Sequence, residues 1–186
     1  MEISWDELNR QIAACEKCGL CRQIRHKVPG QGNPCARLML IGEGPGRDED
    51  ESGLAFVGRA GQLLTRMLAA IRLSREEVYI CNVVKCRPPD NRTPMPEEAE
   101  ACLPYLRMQF ALVRPKVILL LGATAGRYVL GDNFRVTRDR GRFVQKGGIW
   151  FMPTYHPAAL LRDESKKREA WADLKQVMAK LDELKG

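Results

Sequence analysis

The chain has 186 residues and a mass of 21.0 kDa; 45% of its residues are hydrophobic and 28% are charged. This length fits one domain, and the composition excludes intrinsic disorder. No apolar run reaches about 18 residues, which excludes a membrane-spanning helix. The acidic, polar start MEISWDELNR is not a secretory signal, so we expect a cytoplasmic protein. The net charge of +7 favours a polyanionic partner such as nucleic acid, although ordinary basicity explains it equally well.

Hydrophobic spacing along the chain predicts helices that alternate with strands. A capping box from Ser4 to Glu7 begins a first helix, which we expect to end near Cys15. A later helix contains Pro104, which is expected to kink or split it. The remaining predicted elements are helices over residues 63–71, from Pro96 and from Glu164, strands over 37–42, 78–84 and 116–121, and a hairpin of 142–145 with 149–154. Because three strands are continuously apolar, we predict an α/β fold with a mostly parallel sheet covered on both faces.

Polar or glycine-rich segments follow each predicted strand. They are GEGPG from Gly42, Asn82 with KCRPP beyond it, GAT from Gly122, and YHPAALLR around His156. The carboxyl ends of parallel strands meet at one edge, where α/β proteins bind ligands. The sequence therefore predicts a functional site that combines these four segments.

Seven cysteines in a chain without an export signal favour metal ligation or catalysis over disulfides. Cys15 and Cys18 form a C-x-x-C pair that Cys21 extends, whereas Cys86 and Cys102 are 16 positions apart. Zinc sites of four cysteines usually contain two tight pairs, while an iron–sulfur cluster fills the space between more widely spaced ligands. Buried inert cysteines or a redox dithiol remain alternatives.

Residues 42–58 form a glycine-rich loop that either cradles an anion or makes a plain turn; it lacks the G-K-[ST] of a nucleotide-binding loop. Its acidic residues 48–51 are expected to be a solvated loop rather than a cation site. Phe56 is either a stacking platform or a buried anchor of the loop.

Three further features near the predicted site each allow two interpretations. His156 is a structural or a functional histidine. Leu160 and Leu161 are either exposed, as a wedge into stacked bases, or part of a helix tucked into the core. The runs RDRGR (138–142) and KCRPPDNR (85–92) offer arginines for phosphate contacts or a solvated surface.

Taken in order, GEGPG, AFVGRAGQLL, the strand with Asn82, KCRPPDNR and HPAALLR closely resemble family 4 uracil-DNA glycosylase, from about Cys15 to Arg162. The resemblance implies an α/β/α sandwich and an enzyme that flips uracil out of DNA and hydrolyses its N-glycosidic bond, leaving an abasic site. It also implies a 4Fe–4S cluster whose ligands would be Cys15, Cys18, Cys86 and Cys102. Cys21 would not be a ligand.

The resemblance also assigns roles at the predicted site. Glu43 and His156 would be catalytic, and Leu160 would be the DNA wedge. Phe56 would stack on uracil and Asn82 would read its edge. The uracil-binding residues would be Gly42, Glu43, Gly44, Phe56, Asn82 and His156.

This chain departs from the family pattern at several positions. The usual P-F-V-G contains Ala55, and a commonly acidic position holds Arg47. Gly44 stands where the best-known branch has a water-positioning Asp, so Glu43 or Glu49 would take that role. Residues 85–92 contain no His and no insertion, which argues against a branch that traps uracil covalently.

We therefore expect residues 1–186 to form one uracil-DNA glycosylase domain, with 15–102 contributing the cluster ligands. The expected partner is uracil-containing DNA, single- or double-stranded, bound by a monomer that contacts no membrane. Two alternatives are a non-excising or covalent uracil-DNA binding protein with the cluster, and an electron carrier built around it.

Overall fold

The computed structural model describes residues 3–185, in which six strands form one sheet. The strands are β1 (Gln31–Gly32), β2 (Leu38–Gly42), β3 (Tyr79–Asn82), β4 (Val117–Leu121), β5 (Val144–Lys146) and β6 (Ile149–Thr154). Their order is β1-β3-β2-β4-β6-β5. The four central strands are parallel, and the edge strands β1 and β5 are antiparallel to their neighbours. The predicted mostly parallel sheet is confirmed.

Eight helices connect and cover these strands. They are α1 (Trp5–Ala13), α2 (Arg47–Ser52), α3 (Arg59–Ala70), α4 (Pro96–Val113), α5 (Ala123–Leu130), α6 (Val136–Asp139), α7 (Pro157–Arg162) and α8 (Lys167–Glu183). The expected split at Pro104 is wrong, because α4 runs through this residue as one helix of 18 residues. Within the described range 3–185, no helix combines the length and apolarity needed to cross a bilayer.

The strands β2, β3 and β4 bury both of their faces, as their apolar sequences require. In β2, Leu38 and Leu40 pack into one core with α3, α7 and α8, while Met39 and Ile41 pack into a second core with α1 and α4. Successive side chains of a strand point to opposite faces, which divides each strand between the two cores. The result is three layers, α/β/α, as predicted.

The acidic segment 48–51 is not a solvated loop, because it forms most of α2. Asp50 is 5% exposed, and its Oδ1 accepts hydrogen bonds from the backbone N–H groups of Arg25 (2.9 Å) and His26 (3.3 Å). A buried carboxylate requires such donors. Through these two hydrogen bonds Asp50 holds the segment before β1 against α2.

Candidate active site

A cavity of about 520 Å³ opens at the carboxyl edge of the parallel strands. The segments after β2, β3, β4 and β6 all contribute to its walls, as the sequence predicted. The expected site residues that line it are Glu43, Gly44, Phe56, Asn82 and His156. Gly42 lies beneath them at the end of β2. Thr124 also lines the cavity, although it was not among the expected site residues. The sequence feature that could have indicated it is its place in GAT, the segment after the third apolar strand.

Asn82 is the last residue of β3 and is 1% exposed. Its Oδ1 has no hydrogen-bond partner within residues 3–185. Gly42 makes room for it, since a Cβ there would lie 2.5 Å from Asn82 Oδ1 and 2.5 Å from Phe56 Cζ. A buried acceptor without a donor is costly, so this oxygen suits a ligand that supplies an N–H or O–H group.

Two carboxylates near the cavity have different surroundings. The Thr124 hydroxyl donates to Glu43 Oε2 at 2.5 Å, and no other side-chain hydrogen bond to Glu43 is formed by the described residues. Glu49 instead accepts from three backbone N–H groups, with Oε1 bound to Val57 (3.0 Å) and Gly58 (2.9 Å) and Oε2 bound to Gly46 (3.1 Å). Glu49 is thus committed to the loop, whereas Glu43 retains an oxygen for a ligand or water.

His156 caps the start of α7. Its Nδ1 accepts a hydrogen bond of 3.0 Å from the Ala158 N–H. Because an amide N–H can only donate, Nδ1 is unprotonated and the neutral ring carries its proton on Nε2. Burial, assisted by the positive charge of Arg162, lowers the pKa of His156 from 6.5 to about 4. At neutral pH His156 is therefore an uncharged hydrogen-bond donor in the cavity wall.

Phe56 is a buried anchor of its loop that also lies at the cavity. It is 5% exposed within the core, yet its ring borders the cavity. The ring stacks beside that of His156, with a centroid distance of 5.6 Å and an interplanar angle of 28°. Its φ of +52° lies in the left-handed region, which is unusual for a bulky residue.

Of the two interpretations of Leu160, the structure agrees with the buried one, and in this conformation the side chain is not exposed as a wedge would be. Leu160 is 2% exposed and belongs to the core. The reason is that α7 begins directly after His156 and packs against α3, which turns Leu160 inward. Leu161 is only partly buried.

Arginines of the two basic runs are largely engaged in ion pairs. Arg140 forms a bidentate pair with the buried Asp173 (2.5 and 2.9 Å), and Arg92 forms one with Glu98 (2.8 and 2.7 Å). Arg162 and Lys166 border the cavity and form no ion pair with any residue from 3 to 185. Among the cations that line the cavity, these two are therefore available to meet a phosphate, whereas Arg92 is paired.

A second, apolar cavity brings together the four cysteines expected to act as ligands. Cys15 and Cys18 follow α1, Cys86 follows β3 and Cys102 lies on α4. Cys21 borders the same cavity, and its Sγ donates to the Cys18 carbonyl at 3.2 Å.

Burial raises the pKa of three of these thiols, those of Cys18, Cys86 and Cys102, so they do not ionise readily by themselves. Burial raises the pKa of Cys86 to about 12, and the neighbouring Cys102 and Cys18 reinforce the effect. A cationic centre reverses this preference, because it stabilises the thiolates. Across residues 3–185, no three His, Cys, Asp or Glu side chains converge closely enough to bind a single metal ion. A cluster that fills the space between four thiolates suits this donor set better than one zinc ion, whose four sulfurs lie about 2.3 Å from one point.

Comparison with known proteins agrees with this fold and site. The family model described as "Uracil DNA glycosylase superfamily" matches residues 29–175. This range holds all the named residues of the first cavity, and it defines the class of protein to which the fold and pocket belong.

Relatives of known type indicate which family within this superfamily the chain belongs to. The chain is 43% identical over 182 residues to the type-4 uracil-DNA glycosylase of Archaeoglobus fulgidus, a match that covers 94% of this chain and 92% of the relative. It is 46% identical over 162 residues to the type-4 enzyme of Thermotoga maritima (86% and 84%) and 41% identical over 184 residues to that of Sulfurisphaera tokodaii (94% and 83%). The chain belongs to the type-4 uracil-DNA glycosylase family, which confirms the resemblance seen in its motifs.

Proposed function

We propose that this chain is a DNA repair hydrolase that removes uracil from DNA and leaves an abasic site. The observation that carries the proposal is the unpartnered Oδ1 of Asn82, buried in the same cavity as the neutral His156 and the carboxylate of Glu43. An electron carrier would have no use for this pocket.

Asn82 would recognise the edge of uracil. The ring N3–H of uracil is a donor for Oδ1, and the neighbouring 4-carbonyl is an acceptor for the side-chain NH₂. The base must first leave the helix, because its glycosidic bond is out of reach in a duplex. Phe56 would then stack on the flipped base, with Gly42 and Gly44 allowing the base to approach the backbone closely.

His156 would stabilise the departing base. Uracil leaves as an anion, and negative charge develops on its 2-carbonyl oxygen. A neutral imidazole with its proton on Nε2 can donate to that oxygen without giving the proton away. One preorganised donor of this kind contributes about 3 kcal/mol to the transition state. We assign the same stabilisation of the 2-carbonyl oxygen to the backbone N–H groups between Gly42 and Gly44.

Glu43 would position water or stabilise the cationic sugar. Its competitor Glu49 accepts three hydrogen bonds from backbone N–H groups, two on Oε1 and one on Oε2, so both of its oxygens are engaged with the loop. The Thr124 hydroxyl holds one oxygen of Glu43 and so orients the other. This difference in hydrogen bonding is why we assign the water to Glu43.

Cys15, Cys18, Cys86 and Cys102 would hold a 4Fe–4S cluster. When bound, this group supplies a structural link between the end of α1, the segment after β3 and α4. We assign no redox step to base excision. Residues 1–186 would act as one domain and as a monomer, with segment 15–102 contributing the ligands.

Arg162 and Lys166 would bind phosphates of the DNA beside the pocket. Excision should therefore weaken steeply as salt rises, since each neutralised phosphate releases counterions. Leu161 replaces Leu160 as the candidate wedge, because it is the leucine of the pair that is only partly buried.

The proposal is tested with a labelled oligonucleotide that contains one uracil, incubated with the protein and then treated with alkali. Strand cleavage at the uracil, and none in a matched thymine oligonucleotide, is expected. Glu43→Gln should slow this reaction strongly, whereas Glu100→Gln, an exposed carboxylate on α4, should not. Intact uracil in the bound DNA would favour a non-excising binder, and complexes that survive denaturation would favour a covalent trap.

A further inference from the structure

The segment from Ala55 to Gly58, whose Phe56 ring lines the pocket, contains an unusual backbone conformation. Phe56 has a φ of +52°. A bulky side chain adopts this left-handed conformation only when its surroundings hold it there.

Arg75 binds the carbonyl groups of the segment. Its Nη2 donates to the Ala55 carbonyl at 2.7 Å and its Nη1 donates to the Phe56 carbonyl at 3.0 Å. Arg75 lies in the turn before β3 and is half-buried. No carboxylate of residues 3–185 lies within 4.0 Å of its guanidinium. Its planar donors are thus directed at two successive backbone carbonyls rather than at a counterion.

Glu49 binds the amides of the same segment from the other side. Its Oε1 accepts from the N–H groups of Val57 and Gly58. Gly61 completes the arrangement, because a Cβ at this position would overlap the Phe56 carbonyl. Two side chains of opposite charge, from two separate parts of the chain, therefore fix consecutive peptide groups around Phe56.

We propose that Arg75 is a positioning residue for base excision: by binding the Ala55 and Phe56 carbonyls it holds the Phe56 ring in place beside His156, ready to stack on the flipped base. The inference rests on the proposed function, in which Phe56 is the stacking surface. Arg75 itself lies outside the cavity lining and acts only through Phe56. Misplacing a stacking or orienting group by about 1 Å can lower a rate about a hundredfold.

The experiment measures kcat and KM on a single-stranded uracil oligonucleotide and the inhibition constant for free uracil. Arg75→Ala should lower kcat/KM about ten- to a hundredfold and weaken inhibition by uracil. Arg75→Lys, which offers one compact donor group, should fall between Arg75→Ala and the parent. Arg72→Ala is the matched control, since Arg72 is exposed on the same connection between α3 and β3, and it should behave as the parent.

A double-mutant cycle separates positioning from general stability. In a Phe56→Ala background, Arg75→Ala should change kcat/KM less than about twofold, because the ring that it positions is gone. Guanidinium chloride at sub-denaturing concentration should restore part of the activity of Arg75→Ala, while sodium chloride at the same concentration should not.

Three results would overturn the inference. Equal losses from Arg75→Ala in the parent and Phe56→Ala backgrounds would show that Arg75 does not act through Phe56. Parental activity of Arg75→Ala, together with a slow Phe56→Ala, would refute the positioning role and leave the proposed function standing. Parental activity of Phe56→Ala would refute the stacking role itself, and with it both assignments.

Discussion

The Thr124 hydroxyl donates a hydrogen bond of 2.5 Å to Glu43 Oε2 across 81 residues of sequence. It joins the segment after β2 to the start of α5, which follows the neighbouring strand β4. Thr124 is 7% exposed, while Glu43 is half-buried at the cavity. The carboxylate that we assign to water positioning is fixed in orientation by this hydrogen bond before substrate binds.

Thr124→Val should slow excision about tenfold with little change in KM, because Glu43 loses its orienting donor while the space stays filled. This corresponds to about 1.4 kcal/mol, close to the lower end of the range for one hydrogen bond to a charged group. Thr124→Ser keeps the donor and should retain most of the activity. Single-turnover kinetics measures the effect, and equal rates for the Val and Ser variants would contradict it.

Asn82→Asp should lose most excision of uracil. An ionised carboxylate has no donor for the 4-carbonyl, so buried polar groups are left unpaired at a cost of about 1–3 kcal/mol. The amino group of cytosine can donate to the new carboxylate, and weak excision of cytosine should appear. Comparison of kcat/KM on uracil and cytosine oligonucleotides measures both changes. Uracil excision near the parental rate would remove Asn82 from base recognition.

The free energy of unfolding should depend on pH because His156 binds a proton at different pH in the folded and unfolded chain. Its pKa is about 4 in the folded chain and 6.5 in the ordinary exposed state, so the unfolded chain binds more protons between these values. The free energy of unfolding should therefore fall as pH is lowered from above 6.5 to about 4. His156→Gln should show a smaller fall over this interval in urea unfolding. An identical pH slope in parent and variant would mean that His156 is not buried as described.

His156→Ala should reduce the rate of excision by roughly two to three decades, the scale of a lost oxyanion donor. Binding of uracil-containing DNA should change far less, since the contact strengthens only as charge develops. Weak binding with normal turnover would instead place His156 in DNA anchoring.

Leu160→Ala should destabilise the fold by about 2–5 kcal/mol, because it leaves a cavity in the core. At temperatures where the variant is folded, excision from single- and double-stranded DNA should fall to the same extent. Leu161→Ala, at the partly buried neighbour, should cost less stability and reduce duplex excision more. A loss confined to duplex substrate in Leu160→Ala, with unchanged urea unfolding, would restore Leu160 as the wedge.

Purified protein should be brown and contain about four iron and four sulfide per chain. Cys86→Ala and Cys102→Ala should lose iron, and Cys21→Ala should retain it. Iron assays and visible absorption measure this outcome. A colourless protein with stoichiometric zinc would contradict the cluster, and loss of iron in Cys21→Ala would contradict the ligand set.

The fold could be predicted largely from local pattern. The buried strands β2, β3 and β4 are continuous apolar runs, and helices separate them. This pattern predicts a parallel sheet that binds its ligand at the carboxyl edge of the strands. The positions of Asn82 and His156 at that edge followed as well. The two-residue strand β1 and the short helices α5 and α6 could not be predicted, because such brief elements depend on the neighbours against which they pack.

The sequence by itself determined which segments meet at the site, because strand direction and chain order dictate that edge. Tertiary structure decided the role of each side chain within it. Leu160 is buried by the docking of α7 on α3, Glu49 is engaged by backbone N–H groups, and Glu43 is oriented by Thr124. Arg75 acquires its partners, the carbonyls of Ala55 and Phe56, in the same way. These outcomes depend on contacts between residues that are distant in sequence, and hydrophobic periodicity carries no information about which side chains such packing brings together.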